Sequence, residues 1–243
     1  MKSFIPPLLI LIIISVFFDS CKKEDPDPNE NWTAGKNWID SRDGLSYKTI
    51  QIGSQVWMAE NLNVGIFVYT TEPGTYPPSV SNNDTIEKYC HNNNINNCDI
   101  YGGLYEWDEM MMYGNSDAEA IGTTQGICPD GWHLPTDIEW AGLINHLGGS
   151  EIAGGKLKES GISQWNYPNA GATNESGFNA LPGGYWYSGG FFSDPGITAS
   201  FWCSTEVSAI NVPSFYLNYS DSYIARDHHS YKPNGFSVRC VKD

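Results

Sequence analysis

The sequence predicts an α+β domain in which two helices pack on small, twisted antiparallel sheets joined by long loops. Three observations carry that prediction. One stretch, Ile127–Leu147, has the marks of a capped amphipathic helix, and short aromatic runs recur through the last third of the chain. Composition agrees: 14% of the 243 residues are aromatic and only 17% charged, which suits a core built from large flat side chains and a loop-rich surface. The length fits one sizeable domain after N-terminal processing, and no internal repeat divides it.

The helix is the best-defined element. Pro129-Asp130-Gly131 is turn chemistry, because Pro presets φ, Asp caps its own backbone and Gly tolerates positive φ. Thr136 followed by Glu139 forms a capping box, so the helix starts there, with Pro135 and Trp140 in the positions of a hydrophobic staple. Trp140, Leu143, Ile144 and Leu147 fall on one face, and Gly148-Gly149 supplies the stop.

At the start of the chain, Lys2 precedes the apolar run Phe4–Phe18, which is shorter than the ~20 residues of a spanning helix. Phe18-Asp19-Ser20-Cys21 then resembles the lipobox of a bacterial lipoprotein. That resemblance implies cleavage before Cys21 and acylation of its thiol and new amine, which makes membrane lipid a partner. An ordinary secretory signal is the alternative, and either route delivers the chain to an oxidising space. The expected organisation is a signal peptide over residues 1–20, an acidic tether over 21–42 and a domain over 43–243. Trp32 and Trp38 suggest that the later tether begins to dock.

From Tyr47 the pattern becomes strand-like. Tyr47–Ile52, Gly53-Ser54 and Gln55–Met58 read as a hairpin whose two-residue turn suits type II′. Residues 63–100 read as irregular, and Leu104, Trp107 and Met111 share the face of a second short helix. Residues 150–176 are rich in Gly and Asn and read as mostly loop. Phe178–Trp186 reads as a strand entering a sharp turn, and Phe201–Thr205, Phe215–Tyr219 and Phe236–Val241 as short strands spaced as antiparallel neighbours.

Of six cysteines, assigning Cys21 to lipid leaves five, so one stays unpaired or pairs outside the chain. Cys90 and Cys98 bracket an Asn-rich loop and would close it locally. A bridge between Cys128 and Cys240 would tie the final strand to the helix, leaving Cys203 as a buried thiol. No CxxC pair occurs, which leaves a zinc site unsupported.

Six ordered blocks, YKTIQIGSQVWMAENLN, YGGLYEWDEMM, GICPDGWHLPTDIEW, SGFNALPGGY, FWCST and GFSVRCVKD, resemble the Fibrobacter succinogenes major paralogous domain over about residues 43–243. Members are typically exported lipoproteins of Bacteroidetes and Fibrobacteres, which implies lipid anchorage to the outer membrane, facing the cell surface. The resemblance implies a C-type-lectin-like fold and supports a Cys128–Cys240 bridge. It also implies no established activity. The LPT-x-x-EW helix start is shared with formylglycine-generating enzymes.

Candidate chemistry is sparse. The net charge of −15, from 13 basic and 28 acidic residues, repels phosphate backbones and argues against nucleic-acid binding. A lectin-type calcium site needs hard oxygen ligands in EPN or QPD and WND triplets. Tyr167-Pro168-Asn169 and Lys232-Pro233-Asn234 lack the acid, so no metal or other cofactor is expected. Copper-dependent formylglycine chemistry needs a reactive cysteine pair, and Cys203 and Cys240 lie in unrelated contexts. His133 reads as hydrogen-bonded structure and Asp227-His228-His229 as a solvated loop. Hydrolase and nucleotide motifs are missing, and no catalysis is expected. The remaining expectation is a binding module for a glycan or a cell-surface protein. Its contacts would come from Trp165, Tyr167, Asn169, Asn174, Tyr185, Trp186 and Tyr187 in or beside the loops. The alternatives are a structural component of the envelope and an enzyme on the formylglycine-generating scaffold.

Overall fold

The computed structural model describes Met1 and residues 32–70, 82–114 and 122–243; Cys21, the signal segment and the first part of the tether lie outside them. In chain order the elements begin with β1 (Trp38–Ile39), β2 (Ser46–Tyr47), β3 (Thr49–Ile52), β4 (Gln55–Met58), β5 (Ile66–Phe67) and β6 (Glu87–Lys88). Then come α1 (Ile95–Tyr101), α2 (Trp107–Met110), β7 (Trp132–His133), α3 (Asp137–His146) and α4 (Ser150–Leu157). The late strands are β8 (Tyr185–Tyr187), β9 (Phe191–Ser193), β10 (Thr198–Trp202), β11 (Asn211–Asn218), β12 (Ile224–Tyr231) and β13 (Val241–Lys242). The class is α+β, with small antiparallel sheets and one short parallel pairing, β5 with β6.

Two sheets frame the molecule, ordered β3-β4-β13-β7 and β10-β11-β12. The first begins with the expected hairpin: Thr49 pairs with Met58 and Ile52 with Gln55, and Gly53 takes φ +62° at the turn. The last strand closes it, Val241 lying between Trp57 of β4 and His133 of β7. Of the expected Phe236–Val241 strand only Val241 lies in the ladder, which continues into Lys242. The residues before them bond singly to several elements, among them Met58 N to Cys240 O and Leu62 N to Val238 O.

The capping box of α3 is complete. Thr136 Oγ1 accepts from Glu139 N at 3.2 Å, and Glu139 Oε2 accepts from Thr136 N at 2.8 Å. Trp140 and Leu143 are fully buried, and Trp140 stacks on Phe215 of β11 at 4.9 Å, which seats the helix on one face of the late sheet. His133 is structural as expected: its ring nitrogens lie 2.8 Å from Glu139 and 2.7 Å from Asp243.

Both expected bridges are present, Cys90–Cys98 and Cys128–Cys240, and Cys203 is a free buried thiol that donates to Pro213 O. Burial pushes that thiol up to about 12. The longer bridge spans 112 positions, so it removes about 4–5 kcal/mol of loop entropy from the unfolded chain.

Several expectations need correction. Residues 150–157 form α4 rather than loop: Gly154 and Gly155 lie so close to the backbone of Ser222, Tyr223 and Gly171 that a Cβ would meet carbonyl oxygens at 2.3–2.6 Å. Those glycines mark close packing of a helix, not flexibility. The Asn-rich stretch holds α1, capped by Asn94 and stapled by Cys98. Leu104 is outside α2 and bridges Tyr89 instead, so the second helix is a single turn. Asp227-His228-His229 sit in strand β12, not in a loop. The later tether docks as expected, with Trp32, Trp38 and Trp132 meeting edge to face at 5.5–5.9 Å.

One buried cation holds the middle together. Arg239, 1% exposed, donates to Asn61 Oδ1 at 2.6 Å and to the carbonyls of Met58, Phe178 and Asn179, while stacking on Phe178 at 4.2 Å. Burial lowers its pKa to about 9.

Candidate functional site: a tyrosine-lined groove over the late sheet

Strands β10 and β11 of the late sheet alternate. On β10 and β11, Ala199, Phe201, Phe215 and Leu217 point into the helix-side core, so Thr198, Ser200, Ser214 and Tyr216 point the other way. Cross-strand pairing sets Ser200 beside Tyr216, and Ser214 beside Asp227 of β12. The result is a floor of hydroxyls on a sheet face that the helices do not cover.

The β8–β9 hairpin forms one wall. Gly184, at φ +64°, lets it approach: a Cβ there would lie 2.1 Å from Ser193 O. Trp186 N donates to Gly235 O and Trp186 O accepts from Gly235 N, which pins the hairpin to the segment before the final strand. Trp186 stacks inward on Tyr89 at 4.1 Å, and Tyr89 Oη donates to Glu106 at 2.7 Å. Burial raises that carboxyl to about 7, against the pull of the tyrosine. With Trp186 turned in, alternation turns Tyr185 and Tyr187 to the other face of the hairpin, toward the groove.

The opposite wall is β12. Its register slips by one residue between the pairs Ser214–Asp227 and Val212–Ser230, a β-bulge at His228-His229. Asp227, His229 and Tyr231 line the groove, and the bulge brings Ser230, three residues on from Asp227, to the same face. Asp227 accepts from His229 N at 2.9 Å and Ser230 Oγ at 3.0 Å, and Ser230 Oγ lies 2.6 Å from Ser214 Oγ. The open groove has a volume of about 380 Å³, in the range of a small-ligand cleft. Tyr187, Tyr216 and Tyr231 are each at least 40% exposed at its rim.

The seven residues expected to bind ligand therefore separate. Tyr185 and Tyr187 are in the groove. Trp165 and Trp186 are buried, Trp165 Nε1 donating to Ala180 O, and neither can stack on a ligand. Asn169 is also buried and ties Glu159 O to Gly161 O, and Asn174 locks a turn with Asn179. Tyr167 is 81% exposed but not part of this cleft. The groove residues missed from sequence had a signal, the polar–apolar alternation of Thr198–Phe201 and Ser214–Asn218. Among the described residues no group of three or more His, Cys, Asp or Glu is arranged to hold a metal ion.

A family model described as the Fibrobacter succinogenes major domain matches residues 50–242. The chain belongs to that family. No curated protein and no solved structure matches it. In this Fibrobacter succinogenes major domain the match runs from β3 into β13, so the hairpin, the bulged strand and the hydroxyl floor all lie within it. No helix among the described residues is long and apolar enough to cross a membrane.

Proposed function

We propose that the chain is an exported, lipid-anchored binding module of the cell envelope, built on a C-type-lectin-like scaffold, that holds a glycan in the tyrosine-lined groove. The observation that carries this is the combination of exposed tyrosine faces with a floor of hydroxyls and walls that carry carboxylates. Sugar rings offer one apolar face to an aromatic ring and a rim of hydroxyls to short polar side chains, and the groove supplies both. The lipobox-like Phe18–Cys21 supports anchorage, and the disulfides suit an oxidising compartment. Against the enzyme reading stands Cys240, whose thiol is taken by Cys128 while Cys203 is buried.

A glycan array probed with the purified chain tests the proposal. The expected result is a selective set of hits, each weakened about tenfold by Tyr187→Ala or Tyr216→Ala. An array with no selective hit, or hits indifferent to both variants, overturns it.

A further inference from the structure

Charge around the groove sorts the glycans it could hold. Its walls carry two carboxylates, Asp194 and Asp227, and no lysine or arginine. Asp194 is half-buried at φ +58°, and among the described residues its carboxylate enters no ion pair or side-chain hydrogen bond. Among the described residues Asp227 is hydrogen-bonded only by neutral donors, a backbone N–H and a serine hydroxyl. The basic residues at either end of β12 are engaged elsewhere, Arg226 with Asp137 and Lys232 with Glu206. On the floor Thr198 is 9% exposed, and its buried Oγ1 has no hydrogen-bond partner. A buried hydroxyl left unpaired costs free energy that a bound oxygen or nitrogen would recover.

Resting on the glycan-binding reading above, we infer that the groove takes saccharides bearing protonated amines, such as oligomers of de-N-acetylated amino sugars, ahead of their uncharged counterparts, and rejects uronates. An ammonium group beside Asp194 or Asp227 donates a charge-assisted hydrogen bond to that carboxylate, and an oligomer can place separate amines at the two. The sugar ring lies on Tyr187 or Tyr216, and a ring oxygen accepts from Thr198. A uronate would meet two like charges and no lysine or arginine, within a chain of net charge −15.

Calorimetry on the full chain with short glucosamine oligomers, the matched N-acetylglucosamine oligomers and galacturonate oligomers tests this. The expected result is about tenfold tighter binding of the free amine than of the acetylated form, with no galacturonate binding. Asp194→Asn and Asp227→Asn should each bring that ratio toward one. Asn tolerates the positive φ at 194, and an unchanged urea midpoint confirms that each variant is folded. Equal binding of amine and acetyl forms, or tightest binding of galacturonate, overturns the inference. So does an amine preference that survives both variants, since it would then report the acidic exterior at large. If none of the three binds while the array yields a selective glycan, the charge inference falls and the binding module stands. If the array is also empty, both fall.

Discussion

His133 joins three parts of the chain through one ring. Its nitrogens face Glu139 at the start of α3 and Asp243 beyond β13, while its own backbone belongs to β7. Burial works against its charge, but the hydrogen bonds and negative charges of the two carboxylates outweigh that, and its pKa is raised. Glu139 answers in the opposite sense: burial pushes its carboxyl up, yet His133 and the Thr136 cap pull it below its ordinary value. The sign of the pH dependence follows. The imidazolium's contribution is fully present below the unfolded histidine value of about 6.5 and disappears as pH rises through the raised folded value. His133→Asn should therefore destabilise the fold by about 1–3 kcal/mol near pH 6 and by less at pH 9. Urea unfolding at the two pH values measures it; a loss that grows with pH would refute the charged pair.

At the scale of elements, α3 was legible because its information is local. The Thr136 cap, the Glu139 return bond and the Trp140–Leu143 stripe all lie within a few residues of one another. Thr136→Ala should cost about 1–2 kcal/mol in urea unfolding, and Thr136→Ser should retain most of that. The β3–β4 hairpin was legible for the same reason. What escaped was set by distant partners. Gly154 and Gly155 look like helix breakers until the backbone of residues 171 and 222–223 is seen against them. The HNNNINN stretch looks like loop until Cys98 is tied to Cys90. β12 carries charge and histidine along its exposed face and shows little strand propensity, yet it pairs with β11 over most of its length. The site was half legible. Tyr185 and Tyr187 could be named from the loop-rich composition around them, but nothing local reveals that Trp186 between them turns onto Tyr89.

The whole molecule is closed from both ends. Trp32 and Trp38 pack beside Trp132, and Lys242 lies over the rings of Trp38 and Trp132 at 5.5 and 6.0 Å, so the two ends of the described chain meet at one cluster. The Cys128–Cys240 bond lies close in sequence to that cluster, and every residue lining the groove falls between its two cysteines. A pull applied along the polypeptide would cross from Cys128 to Cys240 through sulfur and leave the segment between them slack. In single-molecule stretching by the termini, the oxidised chain should therefore stop short, and reductant should release about 400 Å of additional contour from the 112 positions spanned. Such a bypass would let the groove keep its shape under a pull between the termini.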